Sequence, residues 1–275
     1  NSNPDVHNTL HKFNRLCLCF GPVWIFGSEI LRIYSGRIFN FNGIPLPNYL
    51  GGAHFTWQIM NASKLGGAFI QQITPDVDRG PVVMEDSYVL PQDTNLPIDY
   101  EEYNNSKGAG LIRTFLNHCL HQNNSCELLN KQPCWDKSTY YPRLLTKTNA
   151  WINWSWQGND IFRFCNAFDS PYPGARTLLN GQQVTLTNVE PNDNDLQHHP
   201  YCYGLIIRVS KTDNICWVAV SNGSLKVSVF PASKDSGPID LRQGDRFYTP
   251  HNKLVESISR VYYSESGAKI SSLER

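Results

Sequence analysis

Residues 37–61 read RIFNFNGIPLPNYLGGAHFTWQIMN, and the fold turns on how this stretch divides. Arg37 to Asn42 reads as a short apolar strand, with the two-residue period of its side chains. The Pro- and Gly-containing run from Gly43 to Gly52 breaks that period and makes a turn. AHFTWQIMN then has the spacing of a short helix. A polar triplet, Asn40-Phe41-Asn42, thus ends an apolar strand just where the chain turns. Open α/β sheets carry their chemistry at such strand ends.

Working outward, RLCLCFG upstream reads as a short strand ending at a glycine. VWIFGSEILRIY reads as a helix closed by Ser35-Gly36. Downstream, GGAFIQQIT and VVMEDSYVL read as strands. IDYEEYNNSKGAGLIRTFLNHCLHQ reads as a long helix weakened in its middle by Lys107-Gly108-Ala109-Gly110. This β-α-β rhythm predicts a mostly parallel sheet covered by helices. After a polar linker the grammar changes. NDIFRFCNAF is one helix, and TLLNGQQVTLTNVE is a hairpin around Asn180-Gly181. The short strands YGLIIRVS, ICWVAVSNGSLKVSVF and GDRFYTP follow, which predicts a small β-barrel. The expected organisation is an α/β domain over 1–122, a linker over 123–150 and a β-barrel-like domain over 151–275.

The 275 residues are 40% hydrophobic and 17% charged, which excludes a disordered chain. The formal net charge is zero and no basic run stands out, so a nucleic-acid partner is not expected. No apolar run is long enough to span a membrane, and the first residues lack the apolar core of a signal peptide. The cytoplasm is the expected compartment. The eight cysteines lie partly in apolar strand-like runs and read mainly as free buried thiols. Only Cys126 and Cys134, in a polar loop, read as a plausible pair. Without a secretion signal, the sequons at Asn61, Asn104, Asn123, Asn153 and Asn222 read as chance matches. His198-His199 and Cys202 match no metal-ligand spacing, so no metal is expected. The tryptophans of WINWSW read as packing anchors between the domains.

The segments FGPVWIF, IFNFNGIPLPNYLGG, FTWQIMN, VDRGPVV, WINWSW and IFRFCNAFDSPYPGARTLLNG resemble, in order and spacing, the folate-dependent formyltransferases. The resemblance runs from about Phe20 to Pro250. It implies a Rossmann-like domain followed by a small OB-like barrel. It also implies 10-formyltetrahydrofolate as co-substrate and a primary amine as acceptor. The loop Phe20, Gly21, Trp24, Ile25 and Phe26 would line the pterin pocket, a flat heteroaromatic needing apolar walls. The family's catalytic set is an N-x-H pair at a strand end and an Asp in a D-x-G-P turn. Here the Asn matches Asn40, the Asp matches Asp78, and the His position holds Asn42.

An asparagine donates a hydrogen bond to an oxyanion but moves no proton near neutral pH. His54, about one loop downstream, is the nearest alternative base in sequence. Leu50, Asn153 and Asn166 stand where relatives carry charged side chains, and Gln71 stands where they often carry His. The family also places about two strand–helix units, of roughly 30 residues each, before the FG loop. Only about 19 residues precede it here, so the N-terminal part of the Rossmann-like domain is missing and a fragment is expected. The expected function is formyl transfer to a small amine, an amino sugar on a nucleotide, with a homo-oligomer compatible. A catalytically impaired scaffold and a methionyl-tRNA formyltransferase are the alternatives.

Overall fold

A computed structural model describes residues 16–21, 26–76, 79–121, 130–132, 135–192, 194–210, 214–233, 237–264 and 267–271. The chain divides into two compact units. The first comprises residues 1–50, 65–90 and 102–140, and the second residues 51–64, 91–101 and 141–275.

Besides the two-residue strands β3 (Leu50–Gly51) and β6 (Tyr140–Tyr141), the chain has a four-stranded sheet in the first unit in the order β1-β2-β4-β5, with β1 at Cys17–Phe20, β2 at Ile38–Asn42, β4 at Leu65–Gln72 and β5 at Val82–Val89. Only β1 and β2 run parallel; β2–β4 and β4–β5 are antiparallel. The expectation of a mostly parallel sheet is therefore corrected. The reason lies in the connections. Helix α1, Ser28–Tyr34, joins β1 to β2 as a crossover. The residues between β4 and β5 are too few to carry the chain back for a parallel pairing. Helix α1 ends as the sequence predicts, with Ser35 and Gly36 both at positive φ.

Alternation decides which side chains meet the core. Phe39 is buried with Ala68, Ile70 and Val83 of the sheet and with Leu111, Phe115 and Cys119 of the long helix α3, Pro97–His121. Phe39 and Phe115 meet edge-on at 5.1 Å. The glycine that weakens α3 on paper has a packing reason. A Cβ on Gly108 would lie 2.4 Å from the Phe41 ring, so this residue admits strand β2 against the helix.

The second unit holds a six-stranded sheet in the order β12-β7-β8-β11-β10-β9, from β7 (Ala175–Leu179), β8 (Gln182–Asn192), β9 (Ile206–Val209), β10 (Ile215–Val220), β11 (Gly223–Pro231) and β12 (Phe247–Tyr248). Every pairing in it is antiparallel. The hairpin at Asn180-Gly181 is present, with both residues at positive φ. The sheet curls until its edges bond. Phe247 N donates to Gly204 O, Ile206 N to Asp245 O, and Gly244 N to Ile206 O, at 2.8–2.9 Å. Inside lie Leu179, Val184, Leu186, Ile206, Val218, Leu225, Val229 and Phe247, all nearly inaccessible.

Helix α4 is the short Thr146–Asn149, and helix α5, Gly158–Ala167, buries Ile161, Phe164 and Cys165 and packs on β8. Trp154 stacks on Phe247 at 5.7 Å, and Trp151 is buried beneath Arg176. These contacts of the WINWSW tryptophans lie within the second unit. The sequence reading passed over the helix His251–Ser257 and the hairpin Val261–Ser264/Gly267–Ile270. It also treated Cys119 as free, whereas Cys119 is disulfide-bonded. Cys17, Cys19, Cys165, Cys202 and Cys216 are free. Cys126 and Cys134 lie outside the described residues. No described helix is long and apolar enough to cross a membrane.

Candidate active site

Strand β2 brings Asn40 into the middle of the first sheet. Across the parallel ladder it faces Cys19 of β1, and across the antiparallel ladder it faces Gln71 of β4. The two-residue period places Ile38, Asn40 and Asn42 on one face, away from Phe39 and Phe41. Paired residues share a face, so Cys17, Cys19, Phe69 and Gln71 stand on the asparagine side. Asn42 is half-buried and sits opposite Phe69.

Asn40 is only 8% exposed, and its Oδ1 is buried with no hydrogen-bond partner among the described residues. A buried amide oxygen left unpaired costs about 1–3 kcal/mol. Its neighbour Gln71 is satisfied: the side-chain amide donates to Gly80 O at 2.6 Å. Gly80 has no room for a side chain, because a Cβ would lie 1.9 Å from Gln72 O. The Arg79-Gly80-Pro81 segment is thereby held against the end of β4. Asp78, just before it, lies outside the described residues.

The turn after Asn42 is clamped by residues that the sequence reading left without a role. Asn104 of α3, 6% exposed, donates to Gly43 O at 3.3 Å and accepts from the Tyr88 hydroxyl. A Cβ on Gly43 would fall 1.9 Å from Asn104 Nδ2, so this glycine is dictated by the clamp. Burial, with help from the Asp86 charge, pushes the Tyr88 hydroxyl pKa up, so it remains a donor. The sequon was the only signal at Asn104, and the buried amide takes that site out of reach of modification.

Of the predicted cofactor loop, Phe20 is 61% exposed and tilts against Phe41 at 5.9 Å. Gly21 turns at φ +53°, and Phe26 is half-buried. Trp24 and Ile25 lie outside the described residues. The other thiol-bearing neighbours are Cys17 and Cys19, whose sulfurs lie 3.7 Å apart. Burial and the adjacent Cys17 push the Cys19 thiol up to about 12.

His54 opens helix α2, His54–Met60, in the second unit. Burial, and then the Arg143 charge, lower its pKa to about 4, so its imidazole is neutral at pH 7. Asn153 caps its own turn, accepting from Ser155 N and Oγ, and Asn166 is buried on α5. Leu50 is half-buried. Among the described residues no group of three His, Cys, Asp or Glu side chains is gathered. His199 Nδ1 is taken by Tyr201 N.

Residues 144–239 match the family described as formyl transferase, C-terminal domain. The chain is 28% identical over 212 residues to the methionyl-tRNA formyltransferase of Clostridium tetani, covering 76% of this chain and 64% of that protein. It thus spans less than two thirds of that relative's length. Among solved structures, HypX from Aquifex aeolicus in complex with tetrahydrofolic acid superposes with a TM-score of 0.59 at 15% identity, over 98% of this chain and 47% of that one. The sugar 3N-formyl transferase WlaRD, solved with dTDP and 5-N-formyl-THF, gives 0.53 at 16% identity, over 80% and 73%. At such identities the superpositions speak for the fold alone.

Proposed function

We infer, for a chain that belongs to the folate-dependent formyltransferase family, a transfer of the formyl group from 10-formyltetrahydrofolate to a primary amine. The observation that supports this reading is Asn40. It is a carboxamide in the middle of β2, nearly buried, whose oxygen has no partner among the described residues and stays open to accept from an amine N–H. In the reaction the amine attacks the formyl carbon and charge gathers on the formyl oxygen. The Asn40 amide donates to that oxyanion. Asn42 assists as a second donor, and Asp78 positions or deprotonates the amine. Phe20, Gly21, Trp24, Ile25 and Phe26 form the apolar side of the pterin pocket. The first sheet is read as part of a Rossmann-like domain and the curled sheet as an OB-like barrel, with the cytoplasm as the site of action.

The acceptor proposed is an amino sugar carried on a nucleotide. A formal net charge of zero suits a small acceptor better than a tRNA backbone. Initiator tRNA is the second reading, favoured by the name of the curated relative.

Calorimetry with 5-formyltetrahydrofolate tests the donor site, with saturable micromolar binding expected, about −8 kcal/mol. A folded sample that binds none would sink the reading. Asn42→His is expected to raise turnover by about 10²–10⁴ by restoring a proton-moving group. Asn40→Leu is expected to lower it by about 10²–10³. Formylation of a dTDP-amino sugar but not of methionyl-tRNA decides the acceptor, and the reverse result moves it to tRNA.

A further inference from the structure

The face that carries Asn40 also carries a pair of thiols that the formyl-transfer reading does not use. Cys17 and Cys19 are two apart on β1, so alternation sends both side chains to the same side. Both are free and half-buried, unlike the fully buried Cys165 and Cys216. Their sulfurs are 3.7 Å apart. Two thiolates bonded to one tetrahedral zinc at about 2.3 Å stand about 3.8 Å apart. A linear two-thiolate ion with the same bond length would need about 4.6 Å. The spacing therefore fits one edge of a tetrahedron and not a linear site. It is also an ordinary sulfur contact distance, so the pair is preformed without a cation.

A second observation points to the same place. Cys19 and Asn40 are direct partners in the parallel ladder, and Asn40 Oδ1 is the buried oxygen without a hydrogen-bond partner among the described residues. A carboxamide oxygen is a neutral donor able to complete a cation's shell beside two thiolates. Among the described residues no Asp, Glu or His gathers with these three groups, so the site is a weak one.

We propose that Cys17, Cys19 and the Asn40 carboxamide oxygen form a binding site for a thiophilic tetrahedral cation of the zinc type. Two metal–sulfur bonds form as two S–H bonds break, and two protons leave to solvent. The cation would then occupy the Asn40 oxygen.

The test is titration of the full chain, with its Cys119 disulfide left intact, with Cd²⁺ and Zn²⁺ alone. The readouts are thiolate-to-cadmium charge-transfer absorbance and stoichiometry, so the result does not depend on any activity. The expected result is one cation per chain bound through two thiolates. The double variant Cys17→Ser/Cys19→Ser should weaken it at least about tenfold and abolish the absorbance, and the single Cys17→Ser should halve the absorbance. Cys202→Ser, in the second unit, should change neither. Asn40→Asp should tighten the site and Asn40→Leu should weaken it. Absence of the band at saturating cadmium overturns the proposal. Persistence of the full band in Cys17→Ser, or in the double variant where that folds, does so as well. Equal affinity in Asn40→Leu and the parent chain removes the oxygen ligand and overturns the three-donor site.

Discussion

Three buried polar residues of the second unit and Asn40 of the first sheet differ in how they are satisfied. In the second unit Asp169, Asn149 and Thr177 are satisfied, although Arg163 Nε and His198 Nε2 there are buried without a hydrogen-bond partner among the described residues. Asp169, 5% exposed, accepts from Ser170 N and Asn188 N, each at 2.7 Å. Asn149 accepts from Leu145 N and donates to Ser257 O and Ser259 O. Thr177 accepts from Trp154 Nε1 and donates to Tyr248 O. In the first sheet Asn40 is almost as buried, yet its oxygen has no partner among the described residues. A satisfied buried group holds structure together, whereas an orphaned one is a cost that a water or a ligand can relieve.

The sharpest way to break this contrast is to remove the satisfied groups. Asp169→Ala strands two part-buried N–H groups and removes a buried carboxylate that holds them, and is expected to cost about 3–4 kcal/mol in urea unfolding. A loss under about 1 kcal/mol would mean that Asp169 is not the staple its geometry suggests.

Acid should come next. His54 titrates near 4 in the fold against about 6.5 unfolded. Its contribution is present above pH 6.5 and is lost as pH falls through 4, by at most about 3 kcal/mol. The measurement is stability against pH for the parent and for His54→Gln. The parent should lose more stability than the variant between pH 7 and 4, and parallel curves would refute the assignment.

Asn149→Ala removes three hydrogen bonds and is expected to cost about 2–3 kcal/mol by thermal or urea unfolding. Asn40→Leu stands at the other end, within about 1 kcal/mol of the parent or more stable, because it deletes an unpaired polar atom of similar volume. Should Asn40→Leu destabilise as much as Asn149→Ala, the contrast would collapse and Asn40 would be a structural residue.

Much of this was legible in the chain. The alternation in RIFNFN placed Asn40 and Asn42 on the face opposite Phe39, because a strand has no other way to dispose of them. Asn180-Gly181 specified its hairpin because both positions take positive φ at little cost. The clamp on the strand end was not legible. Asn104 and Tyr88 are 61 and 45 residues beyond Gly43 in sequence, and nothing local marks them. The glycine of α3 read as a weakness because its partner, Phe41, is equally distant.

What the sequence determined by itself is therefore periodic and local: strand and helix identity, the turn glycines, the two asparagines at a strand end, and the family resemblance those motifs carry. Strand direction, the bonding of the curled sheet's edges, the 3.7 Å approach of Cys17 and Cys19, and the unpaired oxygen of Asn40 were settled only by tertiary structure. The physical reason is that pairing and desolvation depend on which distant groups arrive beside a residue. A carboxamide looks the same in the sequence whether or not a partner reaches it.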